Sequence, residues 1–208
     1  MKKILVVKII TAFLSLFLAT VIILILNGLN SAITDNQKSP DYRIEGKKNA
    51  KIVIIEYSDF ACPACANMNF YIKNLIKYFP DDFEINFKHF PLTNIHPYSF
   101  NAAVWVECAG VEENKFFEVG DLFFKNQKEW WNNKDYVKLF EKYTKEAGAN
   151  VEKIKKCFNE SKTVDMVKKD IQNADKMKLN STPTFFVNGK IAVGGMELVE
   201  AIKKEKGK

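Results

Sequence analysis

Two of the four cysteines in this 208-residue chain lie three positions apart, in the motif Cys62-Pro63-Ala64-Cys65. A pair at this spacing can serve a metal, a haem, a structural staple or an exchange of disulfides with another molecule. Haem attachment needs a histidine directly after the second cysteine, and residue 66 is Ala. Structural zinc needs four ligands, whereas Cys108 and Cys157 are isolated and the two histidines, His89 and His96, belong to no partner motif. A staple confined to the motif would close a very small ring, the kind that gains least in the chain-entropy account. The leading reading is a redox dithiol, with neither a metal nor another cofactor expected.

The helical phase assigns roles to the two sulfurs. Cys65, Met68, Ile72, Leu75, Ile76 and Phe79 recur at helical spacing, which predicts a helix from the motif to about Phe79, just before Pro80. Cys65 falls on the apolar face and is expected to be packed. Cys62 precedes that face at the first turn and is expected to be reachable. The unpaired N–H groups and positive dipole end of a first turn favour a thiolate, and Pro63 lacks an N–H that would have had no helical partner there. Cys62 is thus read as the attacking sulfur and Cys65 as the resolving one.

The elements around the motif alternate. Residues 51–57 form a β-branched run that reads as a buried strand, and residues 83–90 alternate polar and apolar as a second strand ended by Pro91. Residues from about 97 to 177 carry helical periodicity throughout, more than a crossover between sheet neighbours needs, so they read as an inserted helical subdomain. Strand signals return in residues 184–187 and 190–193, joined by the hairpin turn Asn188-Gly189, and a last helix is expected near Met196. The frame is β-α-β, insertion, β-β-α: an α/β fold.

The N-terminus decides the compartment. Lys2, Lys3 and Lys8 precede residues 9–26, which carry no charge, and the apolar run reaches spanning length when residues 27–29 are included. Residues 1–29 read as an uncleaved signal anchor or as a cleaved signal peptide. The cleavage site after them is poor, and the lysine flank leaves the remainder outside the cytoplasm. Residues 30–50 are polar and read as a linker, with residues 42–45 a candidate for a short edge strand. The formal net charge of +6 comes from scattered lysines and a single arginine, Arg43, so a nucleic-acid groove is not expected.

With these motifs in place, the chain resembles the DsbA-like family of thioredoxin-fold extracytoplasmic thiol-disulfide oxidoreductases, most of all its membrane-tethered bacterial branch. The resemblance covers residues 51–208 and rests on the motif Cys62-Pro63-Ala64-Cys65, on Glu56 in the preceding strand, and on Thr182-Pro183 ahead of residues 184–189. It implies a thioredoxin-like fold with a helical insertion, preceded by an N-terminal transmembrane helix. It also implies a cis Thr182–Pro183 bond beside the sulfurs, where an extended substrate can pair. Reduced exported proteins are the implied substrates, a membrane redox partner such as a quinone-linked enzyme resets the dithiol, and lipid is met through the N-terminal helix.

For Glu56 two readings stand: a buried carboxyl that relays protons with Cys65, or an acid that escapes to solvent at the strand end. Relatives of the tethered kind often have a second cysteine pair in the insertion. The resemblance thus implies a structural disulfide between Cys108 and Cys157, with two buried thiols or a second exchanging pair as alternatives. His96, before Pro97, reads as a turn or cap residue rather than a chemical one, and His89 as a packed one. The aromatic cluster of Phe123, Phe124, Trp130 and Trp131 is either core or substrate surface. The expected function is an oxidant of exported proteins. An extracytoplasmic reductase or isomerase is the alternative, since Ala64 stands where the most oxidising relatives carry histidine and Thr182 where they carry an aliphatic residue. A non-enzymatic binding module is the minor alternative.

Overall fold

The computed structural model describes residues 17, 18, 20, 21 and 39–207. The chain divides between Lys38 and Ser39 into two units. In the first, Phe17, Leu18, Thr20 and Val21 are helical, and the Thr20 hydroxyl donates to the Phe17 carbonyl (2.7 Å). Most of the expected anchor lies outside the described residues, and no helix among the described residues is long and apolar enough to cross a membrane.

The second unit is built on a five-stranded sheet in the order β1-β3-β2-β4-β5. Its strands are β1 (Ile44–Gly46), β2 (Ile52–Ser58), β3 (Phe83–His89), β4 (Thr184–Val187) and β5 (Lys190–Val193). Among the described strands β2 and β3 alone pair in parallel, the geometry that their crossover through a helix, α1 (Pro63–Tyr78), allows. The turn between β4 and β5 places Asn188 and Gly189 at φ 47° and 80°, the paired positive angles that a two-residue hairpin requires. A last helix, α8 (Gly194–Lys206), starts two residues earlier than its apolar pattern suggested, with Gly194 at φ 74° making the bend.

One face of the sheet carries Ile52, Ile54, Phe83, Ile85, Phe185 and Val187, which pack against Ile72 and Leu75 of α1 and Leu198 and Ile202 of α8. The helical insertion comprises α2 (Ser99–Glu113), α3 (Phe116–Lys125), α4 (Gln127–Trp130), α5 (Tyr136–Glu146), α6 (Val151–Asn159) and α7 (Val164–Lys176). Its centre is α2, in which ten of the fifteen residues are buried, so it lacks the one-sided pattern of a surface helix. A disulfide joins Cys108 of α2 to Cys157 of α6, with Cα atoms 5.8 Å apart. Of the aromatic cluster, Phe123, Phe124 and Trp130 are core, while Trp131 is 38% exposed.

The reading of residues 30–50 as a linker is corrected from Ser39 onward. This segment belongs to the folded unit and covers the polar side of β3, all seven of whose residues are buried. The Ser39 hydroxyl donates to the Phe87 carbonyl (2.7 Å), and Ile44 and Glu45 pair with Asn86 and Ile85. Arg43, 1% exposed, reaches Glu107 of α2 and Asp170 of α7, and Glu107 also bonds His89 Nε2 (3.0 Å). Gly110 makes room for this crossing, because a Cβ there would stand 2.4 Å from the Tyr42 ring. A polar composition reads as solvated from sequence; here Arg43 is buried because it faces carboxylates contributed by two distant helices.

Burial alone would push the Glu107 carboxyl up, but His89 and Arg43 hold it down at about 2. A depressed carboxyl contributes stability above its ordinary value of 4.5 that is lost as the pH falls toward 2. The variant R43M leaves Glu107 and Asp170 buried without their counter-ion, and denaturant unfolding at pH 7 should report a loss of about 3 kcal/mol or more. A loss below about 1 kcal/mol would mean that the segment from Ser39 is not held by this cluster.

Candidate active site

The dithiol sits where β2 hands over to α1. Cys62 is the N-cap of α1, with extended backbone (φ −83°, ψ 121°), and Pro63 occupies the first helical position. The turn that delivers the motif is fixed by Asp59. Its main-chain carbonyl accepts from Cys62 N (3.0 Å) and its Oδ1 from Ala61 N (2.8 Å), the local side-chain turn that aspartate favours. From the insertion, Gln127 Nε2 donates to the Phe60 carbonyl (2.7 Å). Two separate elements therefore lock the motif before its first sulfur.

Cys62 and Cys65 are present as thiols. Cys65, fully buried, has its thiol pushed well up, first by burial and then by the Cys62 sulfur beside it. Cys62 is held down at about 6. The hydrogen bond from the Cys65 thiol is the largest cause; burial opposes it, and the Thr182 side chain and the N–H groups of Cys65 and Ala64 add to it. The site thus holds one sulfur that ionises near neutrality and one that stays protonated. Contrary to the expectation of a reachable Cys62, this residue is only 7% exposed. What covers it is the loop before β4, where Thr182–Pro183 is cis and the Cys62 thiol lies 3.4 Å from the Thr182 carbonyl.

Glu56 reaches the same place through strand alternation. It shares a sheet face with Ile52 and Ile54, so its carboxyl points toward α1, not to solvent. It is 4% exposed, and its Oε1 has no hydrogen-bond partner. Burial raises its pKa to about 7, partly offset by Ser58, and the Cys62 sulfur raises it further. Ser58, two residues on and on the same face, has a buried hydroxyl with no fixed partner that acts on both Glu56 and Cys65. Sequence reasoning passed over Ser58, although its parity with Glu56 was available as a signal.

The His96 carbonyl accepts from Ser99 N (3.2 Å) and Oγ (2.9 Å) at the start of α2, the expected turn role, and its side chain makes a further contact. Its Nδ1 lies 2.7 Å from Asp59 Oδ2, which also accepts from Leu92 N (2.9 Å). Asp59 and His96 are 37 residues apart and share no local pattern. Cys108 and Cys157 are bonded to each other and belong to the apolar core that also holds Cys62 and Cys65. No group of side chains suited to a metal occurs among the described residues.

A family model described as thioredoxin matches residues 38–204. Among curated proteins, the Na(+)/H(+) antiporter NhaA 1 of Mycobacterium sp. (strain KMS) is 36% identical over 162 residues, covering 77% of this chain. The chain spans only 25% of the length of that relative. The probable disulfide bond formation protein D of Bacillus cereus is 28% identical over 167 residues, which cover 77% of this chain and 76% of that protein. Among solved structures, oxidised BdbD from Bacillus subtilis superposes with a TM-score of 0.68 at 24% identity, over 81% of this chain and 96% of that one. The thiol-disulfide exchange protein alpha-DsbA2 from Wolbachia pipientis gives a TM-score of 0.72 at 16% identity, over 85% and 92%. At these identities the structural matches speak for the fold, thioredoxin-like with a helical insertion.

The raised carboxyl of Glu56 has a measurable consequence for stability. Its contribution is fully present below its ordinary value of 4.5 and is lost as the pH rises through about 7. Between pH 4.5 and pH 8 the reduced protein should lose about 3 kcal/mol from this group, and E56Q should not. Parallel stability curves for the two proteins would show that Glu56 ionises normally.

Proposed function

The chain belongs to the thioredoxin family, and from that premise we propose that it is a thiol-disulfide oxidoreductase working on exported proteins through Cys62 and Cys65. The observation that carries this reading is the divided character of the pair: a Cys62 thiol held down at about 6 beside a Cys65 thiol pushed well up, both next to the cis Thr182–Pro183 bond. A structural staple has no use for that difference.

The proposed direction is oxidation. A substrate thiolate attacks the Cys62 sulfur of the Cys62–Cys65 disulfide, the bond between the two cysteines breaks, and Cys65 leaves. Cys65 leaves as a thiolate in an apolar site and takes a proton, which Glu56 supplies, Ser58 acting on both groups. The substrate's second thiolate then attacks its own sulfur in the mixed disulfide and releases Cys62, whose stabilised thiolate makes it a good leaving group. Two electrons pass from the substrate to the pair, and a membrane redox partner such as a quinone-linked enzyme removes them. Thr182 and Pro183 line the position of the bound substrate strand.

The proposed setting is the outer side of a membrane, with residues 1–29 as anchor or signal, and the Cys108–Cys157 bond as a structural one suited to an oxidising compartment. The reducing direction keeps one point in its favour. A Cys62 value of about 6 lies between the value of about 3.5 of a strong oxidant and that of about 7 of thioredoxin. Ala64 supplies no cation to bring it lower.

Two measurements test the proposal. C65S whose Cys62 has first been loaded as a mixed disulfide with glutathione should exchange it for a mixed disulfide with a reduced, exported model substrate, releasing glutathione as a thiol, and C62S treated in the same way should form none; equal trapping by both variants would overturn the assignment of Cys62. The reduction potential of the pair against glutathione tests direction. A value at or above about −150 mV supports an oxidant, and one near −270 mV assigns the chain to reduction.

A further inference from the structure

Ala64 leaves the interior of the motif without a positive charge, yet an imidazole from a different part of the chain is tied to Asp59, in the turn that delivers the motif. His96 lies in the loop that follows β3 and is tied to Asp59, whose side chain is fully buried while that of His96 is 12% exposed. The same Asp59 holds Cys62 N on its main-chain carbonyl and Ala61 N on its other carboxylate oxygen. One residue therefore fixes both the imidazole and the first sulfur of the motif. The rings of His96 and the part-exposed Trp131 meet nearly at right angles, with centroids 6.4 Å apart.

We propose that His96, oriented by Asp59, is a positioning residue for the Cys62 thiolate: it supplies the positive charge that the motif lacks, and its proton occupancy follows the redox state of the pair. The inference rests on Cys62 being the reacting sulfur, as proposed above. Among the described residues, the titratable groups that act on the imidazole are Asp59 and Cys62. The hydrogen bond to Asp59 raises the affinity of the ring for its proton most, burial opposes it, and the negative sulfur of Cys62 raises it further. The sulfur carries that charge only when the pair is reduced. Two electrons and one proton turn the disulfide into the Cys62 thiolate and the Cys65 thiol, and the new negative charge draws a further fraction of a proton from solvent onto His96. Oxidation of the dithiol returns it. His89 offers a built-in comparison, since it is buried against Glu107 and Arg43 and its affinity for a proton is lowered.

The direct test is a titration of both histidines by NMR in the full chain, once with the Cys62–Cys65 disulfide formed and once after reduction. The expected result is a His96 midpoint clearly higher in the reduced protein, with His89 unchanged, and a His96 midpoint in C62S close to that of the oxidised protein. Identical His96 midpoints in the two redox states overturn the inference. H96Q supplies a second readout: the thiolate fraction of Cys62 at pH 6 should fall about three-fold, and the pH profile of alkylation should move up with it. Lower thermal stability in H96Q with an unchanged Cys62 profile would mark a merely structural histidine and also overturns the inference. If the His96 midpoints coincide while exchange still depends on Cys62, only this inference falls; if exchange survives in C62S, the function itself must be reassigned.

Discussion

A single helix start imposes opposite fates on two sulfurs, and the rest of the site depends on that asymmetry. The turn that offers unpaired N–H groups to Cys62 carries Cys65 one helical step onward into a fully buried position. Stabilising a negative charge on the first sulfur and excluding it from the second are therefore one structural decision. The two effects also reinforce each other, because a Cys65 that keeps its proton can donate it in a hydrogen bond to Cys62.

The scaffold makes this decision durable by fixing the turn from several directions. Strand alternation in β2 sends Glu56 and Ser58 beneath α1, where burial keeps the carboxyl protonated through most of the acidic range. Asp59 fastens the chain between β2 and α1, Gln127 fastens it from the insertion, and the loop before β4 closes over Cys62. On the far side of β3, the cluster of Arg43, Glu107, His89 and Asp170 joins the segment from Ser39 to α2 and α7. That cluster holds the insertion against the sheet, and the insertion in turn contributes Gln127 and Trp131 to the neighbourhood of the motif.

What was legible in the sequence and what was not divides along physical lines. The helix after the motif, the strands on either side of it, the Asn188-Gly189 hairpin and the burial of Cys65 all follow from local periodicity and turn chemistry, so they could be read directly. The covering of Cys62 could not, because the Thr182 carbonyl that meets it is 120 residues away. Arg43 sits in a segment whose composition reads as solvated, and only the placement of Glu107 and Asp170 buries it. The Asp59–His96 contact left no local trace either, and Ser58 was overlooked beside a more conspicuous carboxylate. Misses of this kind fall on polar groups whose partners are distant in the chain, where composition argues for water and the fold supplies a neighbour instead.

The central claim, that the start of α1 stabilises a thiolate on Cys62 while Cys65 stays protonated, is tested most directly by following thiolate absorbance and the rate of alkylation of the reduced chain against pH. The account predicts one sulfur titrating with a midpoint of about 6, assigned to Cys62 by the position of the label, and a second that reacts only far into the alkaline range. Two sulfurs titrating together near the ordinary value of 9.0 would contradict it.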